Sequence, residues 1–278
     1  MQLINIKIEL NLCNYYTLLM ELNIKDEQKA TSFVKIFKNM HLIAEYVSIQ
    51  FYPDNIYIQG IENSKSAIFE LKLHQDWFTE YTVNMSNDLT INMSCNILSK
   101  VFGIHAEKEA ITITLNPDDD NLYIVFKSET DFKKELQIPL MDEVCTNLNI
   151  TPFDYDVEFS MKSKTLASLV DKLTTFGNAL NIHCNETFIQ FHASDVDGKL
   201  MCILYDSNED SEYVDEYSCV EQIDLKVSYG IKMFSNFCSF EKVNNNVYLS
   251  FSDNKPMKLS YKLDDYEAKV LCSEKSTA

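Results

Sequence analysis

SIQFYPDNIYIQGIE, residues 48–62, and NIHCNETFIQFHASD, residues 181–195, are two versions of one hairpin. Each reads strand, turn, strand, and each carries Ile-Gln in its second strand, at Ile58-Gln59 and Ile189-Gln190. Working outward, the flanks repeat as well. Ahead of the first copy lie the strand MELNIK and a stretch from Gln28 to Glu45 in which Phe33, Phe37, Met40 and Ala44 recur at helical spacing, flanked by Ile36 and Ile43. Ahead of the second lie the strand YDVEFSM and the amphipathic LASLVDKLTTF, which ends at Gly177 in a C-cap position. Behind the first come SAIFELKL, FTEYTVN, a helix near Cys95 to Ala106, and the hairpin AITITL/NLYIVF around NPDDDN. Behind the second come KLMCILY, the helical part of DLKVSYGIKMFSNFCSF, and NNVYLSF with MKLSYKL. The expected class is α+β, a duplicated unit of antiparallel strands carrying two helices each.

FKKELQIPLMDEVCTNLNITPFDY, residues 132–155, separates the copies. Leu136, Ile138 and Leu140 alternate as in a strand, then periodicity stops and Asn147, Asn149 and Pro152 favour turns, so the chain here is an extended connector. The expected boundaries are an N-terminal extension over 1–19, a first domain over 20–138, a connector over 139–154 and a second domain over 155–278. Leu148 and Ile150 stay apolar inside the connector. Either they pin it to its own surface or they floor a docking groove. In the extension, Ile4, Ile6, Ile8, Leu10 and Leu12 alternate with polar residues as in a strand, and the fold proper is expected to begin at Met20 with the extension dispensable.

At 278 residues, 46% of them hydrophobic and 24% charged, the chain can bury two ordinary cores. No membrane span or signal peptide is readable, and the chain is expected to stay inside the cell. The eight cysteines lack any C-x-x-C pair and read as reduced thiols, without disulfides or zinc. Five glycines allow neither G-x-G-x-x-G nor a P-loop, and there is no G-x-S-x-G or H-E-x-x-H. Asp118, Asp119 and Asp120 follow Asn116-Pro117 and read as a solvated turn. No catalytic residue, metal or cofactor is expected, and the chain is read as a non-enzyme.

Charge is the informative oddity. All 24 basic residues are lysine, against 42 acidic ones, for a net charge of −18. The four helical stretches nevertheless carry Lys29, Lys35, Lys38, Lys100, Lys162, Lys164, Lys172 and Lys232 against only Glu45 and Asp171. Positive charge is concentrated on one layer of an acidic body, as contact with nucleic acid on one surface would require.

SMKSKTLASLVDKLTTFGNALNIHC with TFIQFHASDVDGKLMCILY, the connector start PLMDEV, and PMKLSYKLDD resemble the PCNA-type DNA sliding clamps, and the resemblance runs from about Met20 to Lys275. It implies two similar clamp domains joined by an interdomain connector and closed head to tail into a homotrimeric ring, with helices lining the hole. It implies a processivity factor that encircles duplex DNA without reading sequence, is placed by a clamp loader, and tethers DNA polymerase and other replication or repair proteins through PCNA-interacting peptides. The implied place of action is the nucleus, or a viral replication compartment if the source is a large DNA virus. By the same resemblance, Lys35 and Lys100 face DNA, with Lys29, Lys38, Lys164, Lys172 and Lys232 on the same helices. Ser168, Asp171 and Phe237 stand where the family usually has a base. Ile61, Ile68, Leu148, Ile150 and Pro256, with Val270 and Cys272 on the last strand, form the partner-peptide pocket. Lys133, Leu136 and Ile138 on one edge meet Met201, Cys202 and Leu204 on the next subunit's edge. The alternatives are a subunit of a heterotrimeric checkpoint-type clamp acting as a repair scaffold, and a monomeric processivity protein holding DNA by charge alone.

Overall fold

The computed structural model describes residues 18–84, 89–117, 119–130, 132–142, 147–206 and 213–273. The expected strand from Ile4 to Leu12 in the extension, together with Cys13, Asp118 and Cys145, lies outside them. The first half runs β1 (Met20–Ile24), α1 (Glu27–Asn39), β2 (Tyr46–Phe51), β3 (Asn55–Ile61), β4 (Ala67–His74), β5 (Glu80–Val83), β6 (Leu89–Ser94), α2 (Cys95–Gly103), β7 (Ala110–Leu115), β8 (Asn121–Lys127) and β9 (Lys134–Pro139). The second half repeats that order as β10 (Val157–Lys162), α3 (Ser163–Leu173), β11 (Ala179–Asn185), β12 (Phe188–Ser194), β13 (Lys199–Asp206), β14 (Val214–Cys219), β15 (Asp224–Gly230), α4 (Ile231–Cys238), β16 (Asn246–Phe251), β17 (Met257–Leu263) and β18 (Tyr266–Cys272).

Sheet order repeats as strictly as element order. The first half has one sheet ordered β5-β1-β7-β8-β9 and a block β4-β3-β2-β6; the second has β14-β10-β16-β17-β18 and β13-β12-β11-β15. Position for position, β9 corresponds to β18 and β4 to β13. The halves are fused where β18 pairs antiparallel with β4, with Val270 opposite Phe69 and Leu271 opposite Ile68, which makes one nine-stranded sheet. Their counterparts β9 and β13 end their sheets with one side unpaired among the described residues.

Each pair of helices packs on the sheets through its apolar stripe. In the first half Phe33, Phe37 and Phe102 cluster, with ring centroids 4.5 to 5.7 Å apart, beside Trp77. In the second, Leu166, Val170, Leu173, Phe234 and Phe237 are wholly buried. Such rings each remove large apolar area from water, and truncating one to alanine costs about 3–5 kcal/mol. Asp26 starts α1 by accepting the Lys29 amide at 2.8 Å. The helix expected to reach Glu45 ends at Asn39 and tightens into a 3₁₀ turn over Met40–Leu42, a common way to finish a helix. Likewise α3 tightens over Thr174–Phe176 before Gly177, whose φ of +150° and 2.7 Å approach of a built Cβ to the Ser194 carbonyl oxygen admit only glycine. Among the described residues the six cysteines form no disulfide. Asp119 is more than a solvated turn residue, since it accepts from the Asn121 amide and the Tyr123 hydroxyl and closes the β7–β8 turn.

Candidate partner groove and basic helix layer

The connector is pinned at three places. At its start the Leu140 and Met141 amides donate to the Asp120 and Asn92 carbonyls at 2.8 and 3.1 Å. At its end Phe153 and Tyr155 lie 4.8 Å apart, under the ammonium groups of Lys255 and Lys258. In the middle Gln59, itself only 2% exposed, donates from Nε2 to the Leu148 carbonyl at 2.9 Å and accepts the Leu148 amide at 2.7 Å, while Asn147 donates to the Ser48 hydroxyl at 3.2 Å. The pinning is done by amides, so the Leu148 side chain is left 44% exposed.

Two cavities flank this point. One, of about 400 Å³, is lined by Tyr46, Ile61, Glu62 and Leu148; the other, of about 520 Å³, by Tyr52, Tyr57, Lys72, Leu148 and Ile150. Ile61 pairs across β3–β4 with Ile68, and Ile68 across the seam with Leu271, so these three share the outer face of the sheet. Val270 and Cys272, assigned to this pocket from sequence, face the other way: they pair with Phe69 and Ala67, are 3% exposed and belong to the core. Leu271, between them, is on the same face of the sheet as Ile61 and Ile68. Pro256 is half-buried immediately before β17.

The two open edges need similar correction. On β9, Lys133 just outside the strand is exposed and ion-paired with Glu135, and Leu136 is half-buried, but Ile138 is 2% exposed and packs inward opposite Leu122. On β13, Met201 is 46% exposed, Cys202 is half-buried opposite core Phe191, and Leu204 is buried. Ile203, absent from the sequence assignment, is 57% exposed.

Of the eight lysines on the helical stretches, Lys162 pairs with Asp215 at 3.4 Å and donates to Asn246 at 2.9 Å, and the other seven fall into two groups. Lys38, Lys100, Lys164, Lys172 and Lys232 are exposed and have no ion pair or side-chain hydrogen bond among the described residues. Lys29 and Lys35 do not project freely. The Lys29 ammonium donates to the Trp77 carbonyl at 3.1 Å, lies over the Trp77 ring and pairs with Asp264 at 3.4 Å. The Lys35 ammonium donates to the Lys242 carbonyl at 2.8 Å, tying α1 to the second half, and burial and then the Lys242 charge lower its pKa. Ser32 and Asn39 join the same contact through the Val243 and Ser239 carbonyls.

Comparison with known proteins agrees with this architecture. Models described as the N-terminal and C-terminal domains of proliferating cell nuclear antigen match residues 20–145 and 149–275. The proliferating cell nuclear antigen of Dictyostelium discoideum is 22% identical over 240 residues, covering 85% of this chain and 92% of that protein. The DNA polymerase sliding clamp 2 of Saccharolobus solfataricus is 23% identical over 241 residues, covering 84% and 91%. The crystal structure of the Entamoeba histolytica protein superposes with a TM-score of 0.82 at 15% identity, over 93% of this chain and all of that one, a likeness of fold. With both domain models matched in order on either side of the connector, the chain belongs to the proliferating cell nuclear antigen family of DNA sliding clamps.

Proposed function

We propose that copies of this chain close head to tail into a trimeric ring around duplex DNA, and that the ring tethers DNA polymerase and other peptide-bearing factors. The observation that carries the reading is the seam inside the chain. There β18 joins β4, and the two strands left open, β9 and β13, occupy the same places in the repeat. A copy can therefore offer its β9 to the next copy's β13 as its own β18 is offered to β4. Such an interface is heterologous and closes only as a ring, which also covers both edges.

Matching the hairpins through Gln59 with Gln190 and Ile124 with Leu259 carries the seam's register across. Val270 opposite Phe69 becomes Leu136 opposite Cys202, and Leu271 opposite Ile68 becomes Gln137 opposite Met201. Beside the seam, Phe240 stacks on Phe69 at 5.9 Å. Its counterpart after α2 is Ile104, 49% exposed, and an open hollow of about 810 Å³ between α3 and β13, lined by Leu169, Cys202, Ile203 and Lys172, is free to receive it from a neighbouring copy.

A closed ring cannot leave a duplex sideways, so contacts to DNA need only be weak and phosphate-directed. The exposed helix lysines suit that task, and the absence of arginine suits sequence-independent sliding, because the commonest base-specific contact uses arginine. Leu148, Ile150, Ile61, Ile68 and Leu271 offer an aliphatic floor to a partner tail bearing apolar anchors, and tethering acts through effective concentration. Light scattering tests the ring: the trimer mass is expected for wild type and the single-chain mass for Leu136→Asp. A single-chain mass for wild type at micromolar concentration overturns the homotrimer, and a trimer that forms only with other chains supports the checkpoint-type alternative.

A further inference from the structure

Gln59 does more than occupy a place in the repeat. Its side chain is the donor and the acceptor for a single backbone residue, Leu148, between the two cavities of the groove. Its orientation is set from behind. Nε2 also donates to the Tyr57 hydroxyl at 2.7 Å, and that hydroxyl donates to Glu70, which is 7% exposed and ion-paired with Lys269 at 3.0 Å. Burial, and then Glu70, raise the Tyr57 pKa, so the phenol keeps its proton for Glu70 and its oxygen can only accept from Gln59. The amide is thereby held with Oε1 toward the Leu148 N–H. Lys269 lies on β18, so the relay runs from the second half, across the β4–β18 seam, to the connector. Gln190, the same residue of the second hairpin, makes no side-chain hydrogen bond among the described residues, so a glutamine here is not needed to build the hairpin.

We infer that Gln59 is a positioning residue for partner docking: with Tyr57, Glu70 and Lys269 behind it, it fixes the connector at Leu148 so that the exposed leucine is presented to an incoming apolar peptide. This rests on the groove reading above for the identity of the ligand, but not for the clamp itself. Glutamine is needed because both a donor and an acceptor must face one peptide unit. A carboxylate can accept the Leu148 N–H but repels its carbonyl and sits close to Glu70, whereas a protonated carboxyl again offers a donor.

The experiment uses the full-length protein, amide hydrogen exchange at Leu148, and fluorescence anisotropy with a labelled synthetic peptide carrying one aliphatic and two aromatic anchors, at pH 5.5 and pH 8. Gln59→Ala is expected to speed Leu148 exchange and weaken peptide binding about tenfold or more at both pH values. Gln59→Glu is expected to bind nearly as wild type at pH 5.5 and about tenfold more weakly at pH 8, while wild type changes little. Tyr57→Phe, which keeps the ring and removes the acceptor, is expected to speed Leu148 exchange. Unchanged Leu148 exchange in Gln59→Ala, or a Gln59→Glu variant whose Leu148 exchange and peptide affinity, each taken relative to wild type at the same pH, do not differ between pH 5.5 and pH 8, overturns the inference. If wild type fails to bind the peptide while exchange responds to all three variants, the clamp stands and the groove reading falls.

Discussion

Asp224 sits between two bases, accepting from Lys226 Nζ at 2.7 Å and from His183 Nε2 at 2.5 Å. These hydrogen bonds, Lys226 first, hold its carboxyl down at about 2, from an ordinary 3.8. A depressed carboxyl pKa stabilises the fold above the unfolded value, and the contribution is lost as pH falls from about 4 to about 2. An NMR titration should place the Asp224 midpoint near 2, and Lys226→Met should raise it toward the ordinary value. Lys35 poses a different question. Because its ammonium bridges the halves, Lys35→Glu should lose a hydrogen bond of about 1 kcal/mol and lower Tm by about 2–4 °C in calorimetry, before any effect on DNA. The sequence marks Lys35 as a base on a helix. What makes it a tether, the carbonyl of Lys242 more than two hundred residues away, has no local signature.

At the scale of elements, legibility followed periodicity. The repeat, the helices and the connector could be read because apolar spacing or its loss marks them. Faces could not be read where apolar residues run without a break. YEAKVLC leaves open which of Val270, Leu271 and Cys272 points outward, and KLMCILY does the same for Cys202, Ile203 and Leu204; a slip of one residue inverts the answer. Pairing resolves both. The Gln59 clamp was invisible for another reason, since a buried glutamine in a strand does not announce which backbone it will grip. The repeat also makes a prediction about α2 and α4. Phe240→Ala should cost about 3–4 kcal/mol of folding stability, because its ring is 2% exposed and stacked in the seam. Ile104→Asp, at the matching exposed position, should leave the melting of the single chain nearly unchanged yet shift light scattering from trimer to monomer.

On the scale of the whole molecule, the proposed ring, a strongly acidic body with a lysine-bearing helix layer, should repel DNA everywhere but in its hole. Lys38→Glu with Lys100→Glu avoids the tethering lysines and replaces attraction by repulsion in every copy around a ring. Retention on closed circular DNA and polymerase stimulation should fall, with trimer mass unchanged, and wild-type retention should weaken steeply as salt rises from 50 to 200 mM. Unchanged retention in the double variant removes the lysine layer from DNA contact.

The seam inside the chain and the proposed joint between copies share a plan but differ in what fills them. Inside, Phe240 lies on Phe69 and Lys269 pairs with Glu70; in the proposed joint the places that match by the repeat would hold Ile104, Cys202, Glu135 and Ile203. The inner seam is moreover covalently tethered, so dilution cannot separate it, while the outer joint dissociates by mass action. A ring of such copies alternates welded corners with latches. In the proposed ring the gate would be fixed in advance: a machine that pried it open to admit DNA would find its purchase at β9 and β13, and the lifetime of an unattended ring would follow from how often that one kind of latch slipped.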